Sequence, residues 1–524
     1  MTTTAPHRLV NDDHSQTAGH VFVIHGSLED VTCDAVVIPT DTSFGVRRHW
    51  SDVTGPAAPV KPARWAEDHF GRAAQETTTA AWYIDVTDRD HAAPPELIAG
   101  RVRAAVEAIS RSFRTPWLSP VRGRAQHLVA LPLLGTGGGG VASTDMVVAL
   151  LSALGEVVRD LRIDVAIVVP KRSHFNALQW QRRRYLGASV DDTMRRLGEM
   201  ARRGELALML GAGVSAGAGL PNWAGLIKHV AARADRQDIR DLVNTDAFDN
   251  LPMLDQAELI ARLLGDRAPA AIVDAVTVAP RTDSGSDGEG PDYTPKPVKP
   301  ALSHFLLAGL RCREVATTNY DLLYERAVKS QTDGSLEVAA LPYDVVAPNA
   351  SWILKLHGDA EHPKDIVLSR SAFVDYDGSR QALGALFQAM LMTRHVLFVG
   401  VSFTDDNVLR LTHHVTKSRK GILGTALALE TDIARKRLWE DTVTWIGMEV
   451  PEDIEADKEA RTAWQARSIE VSLDQVAMWA VSESEVLLDK EILDDSANPL
   501  GLDDEQLTAT KAGRHWTSYI SSTE

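Results

Sequence analysis

The chain has 524 residues, with 44 % hydrophobic and 24 % charged side chains, an ordinary balance for packed globular protein and enough length for two to four domains of about 100–200 residues. The net charge is −16, and residues 452–524 hold 17 acidic against 6 basic side chains; this bias excludes a surface built to neutralise nucleic-acid phosphates. Cys33 and Cys312 are the only cysteines, which excludes a four-cysteine zinc ribbon and fits a reducing cytoplasm. No apolar run approaches the roughly 20 residues that a bilayer requires, and the first residues lack a secretion signal, so a cytoplasmic protein with no membrane contact is expected.

Residues 1–20 are polar and read as a flexible N-terminus. From residue 21 to 186, β-rich runs alternate with helical ones. Val21–Gly26 and Asp34–Thr40 read as strands, Ala104–Ser112 as a helix, and His127–Gly135 as a strand entering a glycine turn. Met146–Asp160 reads as a helix and Asp164–Val169 as a further strand. The alternation predicts a mixed α/β domain. Its most distinctive feature is Gly135, Thr136, Gly137, Gly138, Gly139 and Gly140. Successive backbone N–H groups in such a run make an anion nest; a floppy loop is the alternative.

Residues 187–204 read as a charged linker helix, residues 205–450 as a second α/β domain, and residues 451–524 as an acidic, partly helical C-terminal region. Within the second domain, residues 280–300 are rich in Gly, Ser, Pro and charge and read as a flexible insertion.

Four strands in this domain each run into a polar cluster. Glu205–Leu210 leads into Gly211, Ala212, Gly213 and Ser215, with a helix starting near Asn222 or Trp223. Glycines at such a turn let backbone approach a pyrophosphate beside a helix N-terminus, although a plain tight turn has the same pattern. Val315–Thr317 delivers Thr318, Asn319, Tyr320 and Asp321, where Asn319 and Asp321 also suit a helix cap. Trp352–Leu356 ends in His357, Gly358 and Asp359. His395–Val399 ends in Gly400, Val401 and Ser402, and Asp405, Asp406 and Asn407 suit either a cap or a ribose contact.

Taken in order, GAGxS…GLPxW, TTNYD, KLHGD and FVGxSFxDxN resemble the sirtuin superfamily. The set is most similar to the bacterial sirtuin-like NAD hydrolases of antiphage defence, Thoeris-type effectors included. The resemblance covers about residues 204–450 and implies a Rossmann-like parallel sheet. It also implies that Gly211, Ala212, Gly213 and Ser215 hold phosphates and that Asn319 and Asp321 lie beside the nicotinamide ribose. His357 would be the general base, and Gly400, Ser402, Asp406 and Asn407 would line the adenosine side. Sirtuin deacylases place a four-cysteine zinc module after the equivalent histidine; here no cysteine follows Cys312. The resemblance therefore implies NAD as substrate, no metal, and water or a ribose hydroxyl as acceptor.

Residues 25–41 and 129–143 resemble the first strand-loop and phosphate loop of macro domains, which bind ADP-ribose. The early Asp of that family is Ser27 here, and its Asn-rich stretch is Pro39, Thr40 and Asp41. These departures argue against ADP-ribosyl hydrolysis and leave ligand binding. The expected whole is an NAD+ glycohydrolase effector, acting as a homo-oligomer. A cyclic ADP-ribose-like activator made by a partner enzyme and bound at residues 135–140 would switch it on. The alternatives are an NAD-dependent ADP-ribosyltransferase or deacylase, and a non-catalytic NAD or ADP-ribose sensor.

Overall fold

A computed structural model describes residues 18–481 except 56, 74–78, 89–90, 115–117, 137–142, 187–189, 233, 235, 279–296, 333–336, 430–432, 449, 452–453 and 455–456. The insertion expected at 280–300 thus falls largely outside the described residues. The chain divides into two units. The first comprises residues 1–202, 330–334 and 450–524, and the second residues 203–329 and 335–449.

The first unit is built on strands β1 (Val21–His25), β2 (Ala35–Thr40), β3 (Phe70–Arg72), β4 (Ala80–Asp85), β7 (Leu128–Pro132) and β8 (Asp164–Val169), while β5 (Thr87–Asp88) and β6 (His91–Ala92) form a separate ribbon. The six-stranded order is β1-β8-β7-β2-β4-β3, parallel except where β3 runs against β4. Every residue of β8 is buried, as the apolar run of a parallel strand covered on both faces requires. Helices Pro95–Arg114, Ser143–Leu161 and Arg172–Leu186 pack on this sheet.

The helix Asp192–Arg202, in the stretch read as a linker, packs instead against a long C-terminal helix, Lys458–Ala480, within this first unit. Buried ion pairs hold that C-terminal helix. Arg182 donates to Asp474 (3.0 Å to Oδ1), and His20 Nε2 lies 2.7 Å from Asp474 Oδ2. Two turns earlier, Arg467 donates to Asp164 at 2.7 Å, and Arg124 joins Asp164 (3.2 Å) to Glu470 (2.7 Å), which lies on the turn between. Charges buried this deeply are tolerated only when paired and hydrogen-bonded. These contacts tie the helix Lys458–Ala480 to His20, just before the edge strand β1, and to Asp164, the first residue of β8.

The second unit has seven strands: β9 (Leu206–Leu210), β10 (Glu314–Thr317), β11 (Ala339–Leu341), β12 (Trp352–Lys355), β13 (His395–Val399), β14 (Gly424–Ala428) and β15 (Val443–Gly447). All pairings are parallel, in the order β11-β12-β10-β9-β13-β14-β15. This is the mixed α/β architecture with parallel sheets that the alternating pattern predicts. The chain starts on the central strand β9, builds β10 to β12 on one side, then returns to place β13 on the other. That reversal opens a crevice at the carboxyl ends of the strands, where open α/β sheets bind ligands. Helices Trp223–Ala232, Met253–Leu264 and Ala268–Thr277 share an apolar cluster with Tyr320 and Leu323.

Burial alone would push the Asp474 carboxyl up, but the Arg182 charge and His20 hold it at about 2. Its folded value is thus depressed. The pair's contribution is complete above the ordinary carboxylate value of about 3.9 and is lost as pH falls towards 2. Asp474→Ala, which leaves Arg182 buried without a partner, is expected to lower stability by about 3–5 kcal/mol. Urea denaturation at neutral pH measures it, and the gap to wild type should close as the buffer is taken from about pH 4 towards 2.

Candidate active site

Five buried apolar residues make β9, and the chain then turns at Gly211 through two short 3-10 turns, Ala212–Val214 and Ala216–Ala218. A Cβ on Gly211 would stand 2.3 Å from the Gly400 carbonyl oxygen, and one on Gly213 would stand 2.7 Å from Gly400 Cα. Gly400 itself has φ +66°, in the left-handed region that disfavours other residues. The Gly211 N–H donates to Val399 O (3.0 Å) and the Gly213 N–H to Gly400 O (3.1 Å). The glycines thus interlock the loops after β9 and β13. These two N–H groups are already committed, so any phosphate held at this loop must use its other donors.

At the end of β10, the Thr317 hydroxyl donates to Leu210 O and accepts from the Asn319 N–H, each at 3.0 Å. Asn319 Nδ2 donates to Gly211 O (3.1 Å) and to Ser215 Oγ (3.2 Å). A carbonyl oxygen only accepts, so the amide orientation is determined, and Asn319 Oδ1 has no hydrogen-bond partner among the described residues.

Ser215 is buried. Its hydroxyl donates to Asp321 Oδ2 at 2.8 Å and lies 3.3 Å from His304 Nε2. The Ala301 N–H donates to His304 Nδ1 at 3.0 Å, which leaves the ring proton on Nε2, facing Ser215. Burial takes His304 down to about 4 despite the nearby Asp321, so it is neutral at physiological pH. Ser215 therefore joins the residues around the cavity to one another; its hydroxyl is not a free ligand.

Asp321 Oδ1 accepts from the Leu323 N–H at 3.0 Å, so it also caps the helix Leu323–Lys329. Its carbonyl accepts from the wholly buried Lys355 (2.8 Å), which pairs with Glu325 at 2.6 Å.

His357 follows β12. Gly358, at φ +79°, allows the turn, since a Cβ there would meet Asp365 O at 2.5 Å. The imidazole is buried, with Phe373 edge-on at 5.1 Å and Tyr376 at 6.0 Å. Asp405 Oδ2 lies 3.3 Å from His357 Nε2. Burial pulls His357 below the ordinary histidine value, Asp405 opposes that, and Arg380 adds to it.

Gly211, Ala212, Gly213, Ser215, Asn319, Asp321, His357, Gly400, Ser402 and Asp406 all line one cavity of about 640 Å³. Asn407 does not. It is buried in the first turn of the helix Asp406–Ser418, where its Oδ1 lies 3.4 Å from Arg410 on the next turn. The cap of that helix is Asp405, which does line the cavity. From the residues alone all three suit a cap or a ribose contact, and the resemblance points to Asp406 and Asn407; the structure makes Asp405 the cap and leaves Asn407 off the cavity. The cavity is mostly apolar, with Leu220, Trp223 and Met253 among its walls, and with Leu427 and Trp445 from the β14 and β15 side.

In the first unit, Gly135 and Thr136 line a separate cavity of about 350 Å³ together with Asp41, Arg47, His49, Trp50, Lys171 and His174. Gly137, Gly138, Gly139 and Gly140 lie outside the described residues.

A SIR2-like domain family matches residues 313–444, the stretch that carries β10, β12, β13 and their polar ends. Defense-associated sirtuin 2 of Bacillus subtilis is 22 % identical over 252 residues, 47 % of this chain and 23 % of that protein. NAD(+) hydrolase ThsA of Bacillus cereus (strain MSX-D12) is 34 % identical over 109 residues, 20 % of this chain and 23 % of that one. The protein of the same name from Cytobacillus dafuensis is 24 % identical over 208 residues, 38 % of this chain and 36 % of that one. The matches thus span between 23 % and 36 % of these relatives. They support the sirtuin-like resemblance read from the second unit's motifs.

Gly400→Ala would force a Cβ to within 2.5 Å of Val214 N as well as into a strained φ. The expected cost is at least about 1–3 kcal/mol from the backbone alone, with the two loops pushed apart. Thermal denaturation should show the loss as a lowered melting temperature.

Proposed function

We propose that the second unit is an NAD+ glycohydrolase. One observation carries this reading: the Asn319 amide and the His357 imidazole line the same cavity, at the switch point of a parallel sheet, beside the Gly211–Ser215 loop. The SIR2-like match and the relatives named as NAD(+) hydrolases support it.

The reaction breaks the bond between C1′ of the ribose and the nicotinamide nitrogen, and the bonding pair leaves with nicotinamide. Water supplies the new C1′–O bond and loses one proton. Positive charge builds on the ribose as the bond lengthens. Asn319 Oδ1 is a fixed acceptor, since Nδ2 is held on two partners. It suits both orienting the water and facing the developing cation. His357, kept neutral by burial, takes the proton. The mostly apolar walls lower the local dielectric once substrate fills the cavity, which strengthens each polar contact within.

The same reading makes the first unit a sensor. Arg47, Lys171 and two histidines around Trp50 suit a phosphorylated, ring-bearing ligand, and Gly135 and Thr136 enter that cavity from the macro-like glycine run. An ADP-ribose-derived nucleotide there releases the hydrolase, in a cytoplasmic antiphage-defence role that the name defense-associated sirtuin 2 supports. Control runs through self-association, which light scattering with and without nucleotide checks.

Purified wild-type protein is expected to release nicotinamide and free ADP-ribose from NAD without a protein substrate, as chromatography would show. Asn319→Ala and His357→Ala are each expected to lower kcat by about 10²–10⁴-fold with the circular-dichroism spectrum unchanged. Retained turnover in either sinks the assignment. Because His357 is depressed, activity should hold through neutral pH and fall off only below the ordinary histidine value of about 6.5. Arg47→Ala should raise the concentration of cyclic ADP-ribose needed for activation and leave unstimulated turnover unchanged.

A further inference from the structure

His357 is the group that must exchange a proton, yet its Nε2 is buried and makes no hydrogen bond. The nearest acceptor is Asp405 Oδ2, 3.3 Å away, inside ion-pair distance but off hydrogen-bond alignment. Asp405 is not a loosely held side chain. Its other oxygen, Oδ1, accepts from the N–H groups of Asn407 and Val408 at 3.0 Å each, capping the helix Asp406–Ser418. The cap therefore aims one carboxylate oxygen at the imidazole from an element some 50 residues away in sequence.

Other groups around the ring do not offer this. Phe373, from the helix Arg370–Val374, presents an apolar edge. The helix Tyr376–Thr393 contributes the Tyr376 ring and the Arg380 charge. On the ring's own loop, Asp359 is turned away to His362, with Oδ1 at 2.9 Å from His362 Nδ1.

We propose that Asp405 is the positioning residue for His357. It accepts a hydrogen bond from Nε2–H of the neutral ring when substrate closes the cavity, which leaves the lone pair on Nδ1 to receive the proton from water or a ribose hydroxyl. The proposal rests on the NAD-cleaving reading above. Hydrogen bonds of this kind are often long without substrate and tighten in the reacting complex. A carboxylate behind an imidazole fixes the tautomer and stabilises the imidazolium as it forms. Proton balance is simple: Asp405 stays ionised throughout, and His357 gains one proton on Nδ1 and releases it to solvent after nicotinamide leaves.

Asp405→Asn and Asp405→Ser both retain a capping oxygen and remove the charge, so either one carries the test if the other misfolds. The full chain is assayed for nicotinamide release against NAD concentration and pH. Expected is a fall in kcat of about 10–100-fold with KM within about threefold, and an acid limb displaced to lower pH, because the charge that opposes the effect of burial on His357 is gone. Titration of His357 by NMR of histidine-labelled protein, assigned with His357→Gln, should show the same displacement. That titration needs no turnover, so it stays decisive if the hydrolase reading itself fails. A rise in KM alone would make Asp405 a ribose ligand and overturn the proposal. An unmoved His357 titration, or a kcat loss with an unmoved acid limb, would overturn it equally.

Discussion

The second unit depends on the backbone contact between the loops that follow β9 and β13. Two N–H groups, from Gly211 and Gly213, reach the carbonyls of Val399 and Gly400, and the approach is so close that no Cβ fits at any of the three glycines. These two strands flank the point where the sheet changes direction. Joining their loops there sets the floor of the cavity. Asn319, whose Nδ2 donates to Gly211 O, is fastened directly to that floor.

Ser215 extends this order to the side chains. One hydroxyl meets Asn319, Asp321 and His304, and a hydroxyl has one donor and two acceptor sites to offer. All three are filled. Lys355 adds a second hold by gripping the Asp321 carbonyl from below, and its buried charge is balanced by Glu325. The Asn319 amide is thereby presented with one defined free atom. Preorganisation of this sort favours charge development in a transition state more than it favours substrate binding.

In the first unit the decisive contacts are electrostatic. The helix Lys458–Ala480 brings Arg467, Glu470 and Asp474 against Asp164, Arg124 and Arg182. The acidic excess of the C-terminal stretch thus includes carboxylates that serve as internal partners. A net-charge count treats them as surface charge, because it carries no information on burial.

Period and punctuation in the sequence located the strands that end in glycine or polar clusters, since apolar runs with such endings mark parallel strands locally. β1, β2, β7, β8, β9, β12 and β13 lie within the runs read for them, β10 begins one residue before its run, and the helices at 95–114 and 143–161 enclose the expected ones. The strands β4, β14 and β15 were not singled out; β14, GTALA, is rich in small residues and has little β-branched signal. Residue identities at the four strand ends also marked the candidate site, because glycine, amide and imidazole have few common uses together. Only the tertiary structure decided how those residues are used. It committed the glycine N–H groups to backbone, Ser215 to its neighbours and Asn407 to the helix interior, and it brought Asp405 to His357. The C-terminal helix, too, was assigned to the first unit by partners about 300 residues distant. Each of these is a contact between segments remote along the chain, and local pattern carries no record of which remote segments meet.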